Sequence, residues 1–296
     1  MIPTARVLGA LLAVALASGQ IRAGAPPEPA SGFRLAILPC SNIETTFKKF
    51  YPLLAYLKSS TGVSVSIAVP SDLEEFERLA RNGQLDAAIQ DPHTFAQFLR
   101  FFDTSTILQT LGPDGSASQS GVVVVRRDGG ASSLVQLRGR TVMFGPSAST
   151  PKWVAARILF ESVGIVVDRD SRVVRGGCCE DIAFAVSVGS VDAGVICGHF
   201  LGQHEARQKD LGVDRTSLKV IARTQPFPTR IFSVRAGLPR DAAAAMAQAL
   251  LRLDPNDPAH ARILSDAEIG AFVRTTERAY LAALAEAGHQ AQRGRF

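Results

Sequence analysis

Four cysteines are the most reactive side chains in this sequence: Cys40, Cys178, Cys179 and Cys197. Each falls where a strand pattern ends or a helix pattern begins. In an open α/β sheet, ligands gather at such strand ends. Two chemistries suit them. Thiolates are soft donors, so Cys178, Cys179 and Cys197 are candidate ligands for a trivalent metalloid such as arsenic, with Cys40 as a further thiol. In an exported chain the alternative is two disulfides. Adjacent Cys178 and Cys179 bond each other only with strain, which leaves either of them to pair with Cys197. Inert buried thiols are the third possibility, since a lone cysteine behaves as a small hydrophobe.

The segment Ser147-Ala148-Ser149-Thr150-Pro151 points to an anion. Ser or Thr at a helix N-cap with Pro at the first helical position is a strong start signal. The N–H groups and positive end of such a helix, with the hydroxyls of Ser147, Ser149 and Thr150, can hold an oxyanion, although capping alone explains the pattern too. His93, His199 and the loop Cys40-Ser41-Asn42 lie at neighbouring strand ends, and Gln119 and Arg230, as polar and basic side chains, complete the candidate ligand-binding set. Arg230 suits bidentate anion binding, and surface solvation suits it equally. His93 and His199 with cysteine would make a zinc site, but no CxxC or HxxxH spacing supports one.

Enzyme signatures are missing. The chain has no GxSxG, HExxH, P-loop or GxGxxG motif. Asp91 with Glu180 as a carboxylate pair, or Cys179 with His199 as nucleophile and base, would each need further groups that the sequence does not place. The expectation is a binding protein without catalytic residues or a cofactor.

The chain has 296 residues, is 46% hydrophobic and 20% charged, and carries a formal charge of +5. That composition supports a sizeable core and excludes a disordered chain. Basic residues are not clustered or interleaved with aromatics, which argues against nucleic acid as a partner. Part of the charge sits in the N-terminus. A weakly basic leader precedes the apolar run Val7–Ala17, and Ala23-Gly24-Ala25 forms an A-x-A cleavage site. Residues 1–25 therefore read as a signal peptide and the mature protein as periplasmic.

Strand and helix patterns alternate after the Pro-rich joint. Strands are expected at 33–38, 63–69, 85–89, 121–126, 140–144, 172–174, 192–197, 218–224 and 231–235. Helices are expected at 43–59, 71–83, 151–162, 179–187, 241–253 and 265–287. The fold class is α/β, with mostly parallel sheets flanked by helices and a ligand cleft between two lobes. Lobe I would comprise 26–119 together with a hinge return and C-terminal helices at 225–296. Lobe II would span 120–224. A disulfide from Cys40 across the cleft would lock such a hinge.

Several stretches, in order and spacing, resemble the periplasmic phosphonate-binding (PhnD-like) family of solute-binding proteins. They are Phe50-Tyr51-Pro52-Leu53-Leu54-Ala55-Tyr56-Leu57, Gly62-Val63-Ser64-Val65 and Asn82-Gly83-Gln84-Leu85-Asp86-Ala87-Ala88, followed by Leu137-Arg138-Gly139-Arg140-Thr141-Val142 and Val188-Gly189-Ser190-Val191-Asp192-Ala193-Gly194. The resemblance covers essentially the whole mature chain. It implies a type II periplasmic binding protein that traps a small oxyanion and presents it, as a monomer, to an ABC permease or a membrane sensor histidine kinase.

This chain departs from the family pattern at the cleft. Ser149-Thr150-Pro151-Lys152 stands where the family resembles Ser-Thr-Ser-Gly, and Gly177-Cys178-Cys179-Glu180 where it resembles Gly-Ser-His-Asp. Thr229-Arg230 replaces a position where Asp is common. The lost acids argue against an aminophosphonate. Arsenite would suit the cysteines if they serve as ligands rather than as disulfides or inert thiols, and phosphate, phosphite and phosphonate are the alternatives.

Overall fold

The computed structural model describes residues 32–38, 43–129, 131–202 and 215–293, with side chains to residue 290. The signal-peptide reading at 1–25 and the candidates Cys40, Ser41 and Asn42 lie outside the described residues.

The first part of the chain builds a parallel βαβαβ unit. Strand β1 (Phe33–Ile37) pairs in parallel with β2 (Val65–Ala68) and β3 (Ala87–Gln90). Helix α1 (Ile43–Thr61) buries Phe50, Leu53, Leu54 and Leu57, spaced three and four apart, against one face of that sheet. Gly62 ends it at φ +72°, a conformation open to glycine at little cost. Helix α2 (Leu73–Arg81) is capped by Asp72, whose side chain accepts from the Glu75 N–H, and it covers the other face together with α3 (Pro92–Phe98).

Three more strands complete this sheet: β4 (Phe102–Leu111), β12 (Ile231–Arg235) and β13 (Ala271–Arg274). The order is β13-β4-β12-β3-β1-β2. The second sheet runs β10-β6-β9-β7-β8, from β6 (Gly121–Arg126), β7 (Thr141–Phe144), β8 (Arg172–Arg175), β9 (Ala193–Cys197) and β10 (Leu218–Arg223). The five residues Gly121 to Val125 are all buried, as expected for a strand covered on both faces. Its helices are α4 (Ala155–Ser162), the single turn α5 (Val167–Asp170) and α6 (Cys179–Ser187). A two-strand ladder joins the sheets: β5 (Ser118–Gln119) and β11 (Phe227–Pro228) pair antiparallel where the chain leaves the first sheet and returns to it. The C-terminal part adds α7 (Arg240–Leu251), α8 (Pro258–Asp266) and α9 (Glu277–Arg293).

Two expectations need correction. The sheets are mixed rather than mostly parallel. β12 runs antiparallel to β3 and β4, β13 to β4, and β6 to both β9 and β10. The reversals come from the strands that connect the sheets, because a chain that crosses over and returns must run back against its outward path. The helix expected at 265–287 is also broken. α8 ends at Asp266, the edge strand β13 follows, and only then does α9 begin. β4 was not expected at all. Its Asp-Thr-Ser-Thr segment has no apolar alternation, and its burial begins in earnest at Ile107.

Candidate functional site

A cavity of about 320 Å³ opens between the two sheets, near the lower end for small-molecule sites. Asp91 enters it from the end of β3. Ser149 and Pro151 come from the start of the helix leading into α4, and Cys197, Gly198 and His199 from the end of β9. Gln119, Thr229 and Arg230 come from the two connecting segments, and Glu268 from the turn after α8. The strand-end rule thus finds this region. The lining carries three carboxylates (Asp91, Asp114, Glu268) against two guanidiniums (Arg223, Arg230) and the His199 ring.

The helix start at Ser149–Thr150 is built as expected but already satisfied. Ser149 is its N-cap, and its hydroxyl accepts from the Lys152 N–H at 3.4 Å. Pro151 has no N–H. The Thr150 N–H donates to the Asp91 carboxylate, and the Thr150 hydroxyl meets the His93 N–H at 3.4 Å and its ring Nδ1 at 3.3 Å. Thr150 is fully buried and the Ser149 side chain nearly so. An anion arriving at this helix start would find Asp91 there.

Asp91 occupies the N-cap position of α3 yet makes no side-chain bond to its own helix. It reaches across to the second sheet instead. Burial pushes its carboxyl up to about 6, against the opposing pull of Arg230, Lys152 and the Thr150 N–H. The Gln119 side chain lies against the same carboxylate, its Nε2 buried and short of a hydrogen bond of ordinary length. Arg230 donates from Nη2 to the carbonyls of Ala267 (3.2 Å) and Glu268 (3.1 Å). Its Nε and Nη1 donors have no hydrogen-bond partner among the described residues.

Glu268 has φ +55°, a left-handed conformation unusual for a residue with a side chain. Burial would raise its carboxyl, but the Lys49 ammonium 2.7 Å away, then Arg230 and His199, bring it down to about 2. Lys49 also lies 3.8 Å from Glu180 on α6, so one ammonium of α1 faces carboxylates from both halves of the chain.

The cysteines do not act as a set. Cys178, Cys179 and Cys197 are thiols, with no disulfide among the three. Cys178 caps α6, and burial, followed by the charge of Glu180, pushes its thiol up to about 12. Cys179 is buried at the first turn of α6, and its Sγ accepts from the Cys197 N–H at 3.2 Å. A side-chain hydrogen bond from Cys197, and then the Lys152 charge, outweigh burial and lower the Cys179 thiol. Of the three, only Cys197 lines the cavity. Among the described residues no group of three or more Cys, His, Asp or Glu is placed to hold a metal ion, so the expected three-sulfur set is not assembled.

Other candidates divide. Gln119, Ser149, Cys197, His199 and Arg230 line the cavity. Thr150 and His93 stand behind it, the His93 ring 5.6 Å from that of Phe227 and its pKa lowered by burial. Ser147 is exposed and away from the lining. The ammonium gained at Lys152 turns away and donates to the Gly177 carbonyl at 2.8 Å. Sequence reasoning set Asp91 aside as half of an unsupported carboxylate pair and missed Glu268. Asp91 was visible as a residue of a strand-end loop, whereas Glu268 was hidden inside a helix that does not exist.

Comparison with known proteins places this geometry. The family model "ABC transporter, phosphonate, periplasmic substrate-binding protein" matches residues 35–280. The chain belongs to that family. Its proteins are periplasmic substrate-binding receptors that work with ABC permeases, a role without catalysis. Among solved structures, a binding-protein component of an ABC phosphonate transporter from Pseudomonas aeruginosa superposes with TM-score 0.75 at 16% identity, covering 88% of this chain and 87% of that one. PhnD1 from Prochlorococcus marinus in complex with methylphosphonate gives TM-score 0.72 at 16% identity, covering 88% and 98%. A Xanthomonas citri protein bound to chloride ion gives 0.69 at 19%, covering 90% and 99%. At these identities the likeness is one of fold: the two-lobed type II binding protein.

Proposed function

We propose that this family member captures a small phosphorus oxyanion of the phosphonate class between its two sheets and delivers it to an ABC permease, after export directed by residues 1–25. Lobe I would be 26–119 with 225–296, and lobe II 120–224. The observation that carries the reading is Arg230. It lies on the wall of the 320 Å³ cavity with Nε and Nη1 uncommitted among the described residues, oriented by its bonds to the Ala267 and Glu268 carbonyls. A guanidinium held in this way offers an oxyanion charge-assisted single bonds from Nε and from Nη1, with its fork-forming Nη2 spent on the two carbonyls. The Ser149 hydroxyl supports the reading as a donor from the opposite sheet.

The experiment is thermal unfolding of the mature protein with methylphosphonate, phosphite, phosphate and arsenite. A ligand that binds only the folded state raises the midpoint. A shift with the phosphorus oxyanions, lost in Arg230→Ala, is the expected result. No shift with any of them overturns it.

Arsenite is the second reading, and the contact between Cys179 and Cys197 favours it. Two thiols of one hydrogen-bonded pair, one of them on the cavity wall, suit a trivalent metalloid. A shift with arsenite alone, abolished in Cys179→Ser, would replace the first reading and favour a sensor-kinase partner over a permease.

A further inference from the structure

The cavity is an odd place to hold an anion. Lys49 neutralises Glu268, but no such ion pair covers Asp91 among the described residues, and the nearest helix start has given its first N–H to Asp91. A fully ionised oxyanion on Arg230 would meet a carboxylate that Arg230 already attracts. Two like charges in contact inside a desolvated cavity repel strongly, unless a proton lies between them.

We propose that Asp91 is the specificity-determining residue of the site, accepting a hydrogen bond from an acidic hydroxyl of the bound oxyanion. The cavity thereby admits protonated oxyanions and rejects those with no proton to give. The inference rests on the oxyanion reading above and goes past it to the protonation state of the ligand.

Three observations carry it. First, Asp91 lines the cavity although it sits at the N-cap of α3, where an aspartate ordinarily turns back to its own helix; here it makes no such bond. Second, the Thr150 N–H and the charges of Arg230 and Lys152 favour the ionised form of Asp91 and draw its carboxylate towards the second sheet, on the side where the ligand would sit. Third, the same arginine that would clamp the ligand also attracts Asp91, so a ligand oxygen on Arg230 is brought towards the carboxylate.

Protonation then becomes part of recognition. The complex holds one proton between Asp91 and the ligand, whichever partner brings it. Sulfate can bind only when Asp91 itself is protonated. A methylphosphonate monoanion supplies the proton and binds while Asp91 is ionised. The other titratable groups facing this region are Tyr280 on α9, whose hydroxyl donates to the Thr229 carbonyl, His93 behind Thr150, and His199 with Glu268 across the cavity. His199 is the one that could mimic the effect by charging in acid, so it is controlled for.

The test is calorimetric titration of the mature protein with methylphosphonate and with sulfate, from pH 6 to pH 9. The wild type is expected to prefer methylphosphonate over sulfate at least tenfold at pH 7. Sulfate affinity is expected to fall about tenfold per pH unit above the Asp91 titration, and His199→Gln is expected to keep that profile. Asp91→Asn is expected to bring the two ligands within about threefold, chiefly by strengthening sulfate, and to flatten the profile. An unchanged preference in Asp91→Asn overturns the proposal, as does a flat sulfate profile in the wild type or a profile abolished by His199→Gln. The wild-type and His199→Gln arms stand even if Asp91→Asn fails to fold. If neither ligand binds wild type or variant, the oxyanion reading itself falls, and this inference with it.

Discussion

The Lys49 ammonium lies 2.7 Å from the Glu268 carboxylate, and Glu268 is held in a left-handed backbone conformation that positions it for that contact. Such a backbone costs on the order of 1–3 kcal/mol in a residue other than glycine, so the side chain must return something. What it returns is a counter-charge to Lys49 at a point where α1 also faces Glu180 of α6. A carboxyl lowered to about 2 in the fold stabilises fully above its ordinary value near 4.5, and loses that contribution as pH falls towards 2. The Glu268 side chain keeps 29% of its surface exposed, so screening trims the gain to about 1–2 kcal/mol. Glu268→Gln should therefore lower the unfolding midpoint at pH 7 by about 3–6 °C. The gap should close in a pH series run down to about 2. A gap that persists at pH 2 would assign the loss to something other than the ion pair.

Asp91 has the opposite sign. Its folded carboxyl is raised to about 6, so the unfolded chain ionises first. Stability is then fully present below about 4 and declines as pH rises to about 6, by about 3 kcal/mol at ~1.4 kcal/mol per pH unit. Asp91→Asn should be more stable than the wild type at pH 7.5 and equal to it below pH 4, as read by urea unfolding at the two pH values. A variant less stable at pH 7.5 would mean that the carboxylate is a net structural support. Stability given up at a residue of the cavity wall is what selection for binding leaves behind.

Much of this architecture was legible because burial leaves a period in the sequence. The apolar spacing of α1, the run Val122–Val125 and the capping serine at Ser149 are local signals, and local signals fixed their elements. β4 and β13 carry no such signal. They exist because β12 offers β4 a free edge and β4 offers one to β13, and pairing of that kind is a tertiary fact. The site followed the same division. Cys197 and His199 follow from the strand-end rule, and Arg230 from the anion chemistry of its guanidinium. Asp91 was passed over for His93, two residues on, because sequence does not show which way a loop residue points. The cysteines were read as a cluster on chemistry alone, and the turn of α6 separates Cys178 from the Cys179–Cys197 contact.

That separation is directly measurable. At pH 8 a thiol pushed up to about 12 is ionised at roughly one part in ten thousand, whereas the Cys179 thiol is lowered but buried. Brief iodoacetamide treatment of the folded protein, followed by peptide mass spectrometry, should leave Cys178 unmodified although it is only partly buried. Denatured protein should alkylate at Cys178 and Cys179 alike. Rapid labelling of Cys178 in the fold would show that Glu180 and Asp181 do not hold its proton.

The cavity wall also depends on a missing side chain. A Cβ at Gly121 would collide with the Pro151 carbonyl oxygen and lie 3.2 Å from the Thr224 methyl. The first contact is with backbone at the helix start, which a rotamer change cannot relieve. Gly121 is also tied to Thr224, whose hydroxyl accepts from its N–H at 2.8 Å and whose own N–H donates to the Gly121 carbonyl at 2.9 Å. With β6 held on that side, the strain of Gly121→Ala must move Pro151, and with it Ser149 and the Thr150 N–H that meets Asp91. Overpacking of this kind costs about 1–3 kcal/mol, which should lower the unfolding midpoint by several degrees. It should also weaken oxyanion binding more than tenfold, because the wall moves while Arg230 stays. Gly115→Ala, in the loop at the cavity mouth where a Cβ meets no atom within 4 Å, carries backbone strain from its φ of +78° without a clash. It should lose stability with binding nearly intact. If both variants lost binding in proportion to stability, the packing of β6 against the helix start would have no special part in shaping the site.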